Sequence, residues 1–90
     1  MAENYLNHPT FGLLSRICTV DQTRSLFTTL YAHRLFFVIT QGGKGVQFEP
    51  VSRADAKLMV EHRLRQLRQM PQGLEEQELL HTSYKRTFSQ

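Results

Sequence analysis

The side chains best suited to chemistry are four histidines, His8, His33, His62 and His81, the single Cys18, and the carboxylates Glu75, Glu76 and Glu78. No two histidines have an H-x-x-x-H spacing and there is no C-x-x-C pair, so a metal site would need ligands converging from separate segments. They read as exposed or partly packed histidines. Cys18 follows Ile17 in an apolar run with no flanking nucleophile motif, and reads as a small buried hydrophobe. Gly42-Gly43-Lys44-Gly45 superficially matches a phosphate-binding loop, but a P-loop needs G-x-x-x-x-G-K-[ST] leading into a helix. Here a strand-like run follows the glycines, which argues for a hairpin turn. The three glutamates open a helical stretch, where the helix dipole accounts for them. No nucleophile, base or metal constellation survives, so the chain reads as a non-enzyme with no cofactor.

What remains is surface chemistry. Tyr5, Phe11, Tyr31, Phe36, Phe37 and Phe48 all fall in the first half of the chain. On a strand, Leu35 and Phe37 face one way while Phe36 and Val38 face the other, and a single sheet layer buries only one such set well. Two outcomes follow. Either both sets are core in a closed barrel, or Tyr31, Leu35 and Phe37 stay partly exposed as a recognition patch beside His33 and Arg34. Aromatic residues and arginine are the types that carry interface energy.

The elements that must position these residues change character near position 52. Before it, short runs rich in β-branched and aromatic residues are broken by turn signals roughly every 8–12 residues; after it, apolar residues recur at helical spacing. Strands are expected at Leu13–Thr19, Leu26–Tyr31, Arg34–Thr40 and Val46–Glu49, with Pro50 ending the last. Asp21–Arg24 connects the first two. Ala32-His33 is either a tight turn or the middle of one long bent strand. Four or five strands in so short a segment suggest a small, strongly bent sheet or SH3-like barrel. Ser52 and Asp55 have N-cap and N3 spacing. Ala56, Val60, Leu64 and Leu67 then lie on one stripe, with Met59 and Met70 at its border. Pro71-Gln72-Gly73 permits a reversal, and Leu74–Phe88 restarts a helix with Leu80, Tyr84 and Phe88 in line. The organisation is α+β: a β-part over 1–52 and a two-helix hairpin over 53–90, the hairpin docking on the sheet because two helices alone make no core.

Ninety residues and 10.5 kDa allow one modest core, and a small binding module suits that size better than an enclosed active site. A lone cysteine closes no intramolecular disulfide, which fits a reducing compartment. The Met-Ala-Glu-Asn start carries no apolar h-region. The longest uninterrupted apolar run, Leu35–Ile39, is far short of the ~18 residues of a spanning helix. A soluble, cytoplasmic protein is expected. The net charge of +3 and pI of about 9.4 raise a nucleic-acid alternative. In it, Arg34, Lys44, Arg63, Arg65 and Arg68 meet phosphate and Tyr31 or Phe37 stacks on bases. The basic excess lies next to the acidic Glu75–Glu78 stretch, however, and solvated helix faces explain both.

Longer stretches carry a resemblance. Glu3-Asn4-Tyr5-Leu6-Asn7-His8-Pro9-Thr10-Phe11-Gly12-Leu13-Leu14 closely resembles the N-terminus of the PipX family, the cyanobacterial PII-interacting proteins. So does Leu26-Phe27-Thr28-Thr29-Leu30-Tyr31-Ala32-His33-Arg34-Leu35-Phe36-Phe37. Phe48-Glu49-Pro50 and Arg63-Leu64-Arg65-Gln66-Leu67-Arg68 are similar at the same spacings, so the resemblance covers essentially the whole chain. It implies a Tudor-like β-domain followed by two C-terminal helices, and a non-enzymatic adaptor in nitrogen signalling. One implied partner is the trimeric PII protein, whose T-loop is held between the β-domain and the helices. The other is the dimeric transcription factor NtcA, co-activated when 2-oxoglutarate is abundant, with PII sequestering the adaptor when it is scarce. A GntR-type regulator, reached through PII, is a further implied partner. The small molecules bind the partners, nucleic acid is reached only through NtcA, and no membrane is involved. Carried over by position, Glu3, Tyr5, Tyr31, His33, Arg34, Leu35 and Phe37 form the shared partner surface, with His33 standing where the family has glutamine.

Overall fold

Five strands precede two helices: β1 (Tyr5–His8), β2 (Gly12–Thr19), β3 (Arg24–Thr29), β4 (Phe36–Gly42), β5 (Gly45–Val51), α1 (Arg53–Arg68) and α2 (Leu74–Phe88). The computed structural model describes residues 4–30, 35–43 and 45–88. The strands form one antiparallel sheet in the order β1-β2-β3-β4-β5. Strand neighbours lie about 4.8 Å apart, so a flat five-stranded sheet would hold β1 and β5 about 19 Å from each other. Instead the ring of His8 on β1 lies 4.9 Å, centroid to centroid, from that of Phe48 on β5. The sheet is therefore curled into a half-barrel, and with the two helices behind it the fold is α+β and Tudor-like.

The curl and the helices bury both faces of the sheet. On β4, Phe36 and Val38 pack with Leu26, Cys18 and the helices, whereas Phe37 and Ile39 pack with Leu14 and Phe27 in the hollow of the half-barrel. Of the two outcomes the sequence left open, Phe37 follows the core one, the curl closing over it and leaving it 4% exposed, which corrects the alternative of an exposed Phe37, while Leu35, beyond the strand end, is 41% exposed as that alternative has it. Leu14 and Cys18 on β2 have the same sequence parity yet belong to opposite faces. The reason is a bulge: Arg16 pairs with Phe27 and Cys18 with Leu26, so Ile17 is an extra residue that inverts the alternation.

Several boundaries differ from the sequence expectation. The strands expected at 26–31 and 34–40 are β3 (Arg24–Thr29) and β4 (Phe36–Gly42), and they pair with each other, Thr28 opposite Phe36, so they are not one long bent strand. The Ala32-His33 turn lies outside the described residues. β5 continues through Pro50 to Val51. It is one of the two edge strands of the sheet, where an absent N–H removes no interior ladder bond. The Asp21 connection closes as an Asx turn, its Oδ1 accepting from the N–H groups of Thr23 (3.0 Å) and Arg24 (2.9 Å).

The helical half follows its pattern closely. The Asp55 N–H donates to Ser52 Oγ at 3.0 Å, and Ala56, Val60, Leu64 and Leu67 are buried as the stripe requires. Met59 packs against this core, while Met70 is exposed. After Pro71 the chain reverses, and the Gly73 carbonyl accepts from Gln77 N–H at 2.8 Å to start α2. The Phe88 ring stacks on Phe36 with centroids 5.4 Å apart. Between the helices, Tyr84 Oη donates to Glu61 Oε2 at 2.7 Å and Arg63 Nη2 pairs with Glu76 Oε2 at 3.0 Å. Among the described residues no helix is long and apolar enough to cross a membrane.

Candidate functional site

The turn between β1 and β2 is built around one imidazole. His8 Nδ1 accepts from the N–H groups of Thr10 (2.9 Å) and Phe11 (3.2 Å), which requires an unprotonated Nδ1 and places the ring proton on Nε2. Gly12, with φ of +78°, supplies the left-handed residue that brings the chain back into β2. The His8 ring then meets three phenylalanines: Phe11 at 4.9 Å, Phe37 at 5.0 Å and Phe48 at 4.9 Å. Phe11 also lies 5.7 Å from Phe37. Residues from β1, β4, β5 and the first turn are thereby locked into one aromatic cluster.

That cluster forms part of the wall of an open concavity of about 520 Å³, completed by Leu35, Phe36, Pro50, Val51, Ser52 and Arg53. Phe37 is buried and Phe48 half-buried, while Phe11 and Leu35 remain exposed. Leu35 is held by its backbone: its carbonyl accepts from Thr29 N–H at 3.2 Å and from Thr28 Oγ1 at 2.9 Å. Its side chain is therefore presented to solvent by a fixed main chain. The lining is mostly aromatic and aliphatic with one arginine, residue types enriched at the cores of protein–protein interfaces.

Of the residues singled out in the sequence, Leu35 and Phe37 come together on this concavity. Tyr5 is exposed and lines a different groove, between the sheet and α2. Glu3, Tyr31, His33 and Arg34 lie outside the described residues. Sequence reasoning missed His8 and Phe48 as neighbours of Phe37. The available signal was the turn formed by Pro9 and Gly12 directly after His8, which leaves backbone donors that a nearby imidazole can accept.

The remaining chemical candidates settle into structural places. Cys18 is buried, and burial pushes its thiol up to about 12, far from a nucleophile's range. Arg63, one of the arginines of the nucleic-acid alternative, is bound by Glu76 and by Gln66 Oε1, which leaves it poorly placed to grip phosphate. Among the described residues no group of three or more His, Cys, Asp or Glu side chains is placed to hold a metal.

The family model described as PipX, PII-interacting protein X, matches residues 2–88. No curated protein matches the chain.

Proposed function

The chain belongs to the PII-interacting protein X family, and from that premise we propose that it is a non-enzymatic adaptor exchanged between PII and NtcA. The shared partner surface comprises Glu3, Tyr5, Tyr31, His33, Arg34 and Leu35, with the buried Phe37 in the wall of the adjoining concavity. The observation that supports this reading most is the aromatic concavity, with an exposed Leu35 at one side.

The mechanism is competition for one patch. Two partners that need the same surface exclude each other, so the concentrations of their binding-competent states set the adaptor's occupancy. 2-Oxoglutarate acts on the partners and moves the adaptor only by as much as it changes their affinities for it. When the metabolite is scarce PII holds the adaptor; when it is abundant the adaptor passes to NtcA and supports transcription. A GntR-type regulator joins through PII. The T-loop of PII lodges between the β-domain and the helices, and α2 opens in one of the two complexes and stays docked in the other.

The test is a calorimetric titration of PII with wild type and with Leu35→Ala, a change that spares the buried core. Wild type is expected to bind. The variant is expected to lose about tenfold in affinity, the scale of an anchoring side chain, at an unchanged melting temperature. Absence of wild-type binding would overturn the reading.

A further inference from the structure

A second groove, of about 320 Å³, runs between the sheet and the last turns of α2. Its polar lining comes from both sides: Ser15, Arg16 and Thr28 from the sheet, and Ser83, Arg86 and Thr87 from α2. Among the described residues two arginines and no carboxylate line it; Glu76 lines an adjoining groove with Arg16 but is paired with Arg63. The other arginines close to acids behave differently, Arg24 pairing with Asp21 at 2.7 Å and Arg63 with Glu76 at 3.0 Å. Among the described residues Arg86 makes no ion pair, and Arg16 makes only a long contact of 3.3 Å from Nη2 to the neutral amide oxygen of Asn4. Arg16 also sits at the bulge of β2, beside the extra Ile17, a device that re-aims side chains at sheet sites.

We propose that this seam binds a phosphate-class oxyanion, held between Arg16 of the sheet and Arg86 of α2. Two like charges lining one cleft repel, and a dianion between them removes the repulsion. Guanidinium groups offer paired donors that match phosphate oxygens, and the hydroxyls of Ser15 and Ser83 supply donors for the remaining oxygens. A carboxylate presents fewer acceptor oxygens to a lining with this many donors. Because the donors come from two elements, the bound anion joins them. It stabilises the docked α2 by mass action and opposes any state in which α2 leaves the sheet. The chain thereby has a ligand of its own, beside those its partners bind.

The experiment uses the full chain, melted in buffers of constant ionic strength in which phosphate replaces chloride. Phosphate also stabilises proteins in general through its exclusion from their surface, but that rise does not saturate and does not depend on Arg86. The expected result is a saturable rise in melting temperature, with Arg86→Gln weakening the apparent affinity about tenfold or more and Ser83→Ala weakening it less. In ¹H–¹⁵N spectra the amides of residues 15–17 and 83–87 should shift with the same midpoint. Glycerol phosphate in a parallel arm separates the sources: saturation there as well means that the phosphoryl group of a metabolite is accepted, and saturation by phosphate alone means the inorganic ion. A rise that is linear, or equal in Arg86→Gln, or accompanied by no localised shifts, would overturn the proposal.

Discussion

At Gly73 an added methyl carbon would sit 2.7 Å from the Leu67 carbonyl oxygen, a backbone atom with little room to move. Gly73→Ala is therefore expected to destabilise the chain by about 1–3 kcal/mol, the usual range for overpacking, as a shift in the urea midpoint. Tyr84 makes a second prediction. Its hydrogen bond to Glu61 raises the phenol above its ordinary value, because a phenolate could not donate and would face a carboxylate. A raised folded value means that this bond's contribution is complete below the unfolded value of about 10. It is then lost as pH rises through the folded one. Wild type should lose stability between neutral pH and pH ~11 more steeply than Tyr84→Phe; parallel losses would show that the bond adds nothing. At this scale the sequence was informative where one side chain meets the backbone nearby, as at Ser52 and Asp55. It was uninformative at Gly73, whose constraint is a carbonyl contributed by the preceding helix.

The helices show how far periodicity carries. The Ala56, Val60, Leu64 and Leu67 stripe and the Leu80 and Phe88 positions are buried where their spacing places them, because a helix repeat needs no knowledge of the partner surface. The strands were harder. Ile17 reverses the facing of β2 in mid-strand, and Phe37 disappears into a hollow created by the curl of the whole sheet; neither is written in local alternation. The same packing gives a probe of α2. Cys18 and Leu80 share one core cluster, and the burial that pushes the thiol up to about 12 keeps it unreactive while α2 is docked. Phe88→Ala removes the stack on Phe36 and the Arg53 contact over the same ring. Thiol labelling of Cys18 under native conditions should then accelerate at least about tenfold, since truncating a core phenylalanine typically costs about 3–5 kcal/mol. An unchanged rate would mean that α2 does not cover Cys18.

For the molecule as a whole, the division of labour follows from burial. Two core clusters form, one on each face of the sheet, and the chain presents two grooves: an aromatic concavity lined from β1, β4, β5 and the start of α1, and a polar seam between β1–β3 and α2. Family membership was legible because the matching residues run through nearly the entire chain. The proposed partner surface rests on the resemblance and not on local pattern, because its residues are drawn from the segment before β1, from β1, from the β3–β4 connection and from β4. The central claim is that PII and NtcA use one surface in turn, and the most direct measurement is displacement from a preformed complex with PII. Adding 2-oxoglutarate-loaded NtcA should release PII with no ternary complex at any ratio. Tyr31→Ala should weaken both complexes while leaving the melting temperature unchanged. A stable ternary complex, or a Tyr31→Ala variant that loses one partner and keeps the other at full affinity, would contradict the account.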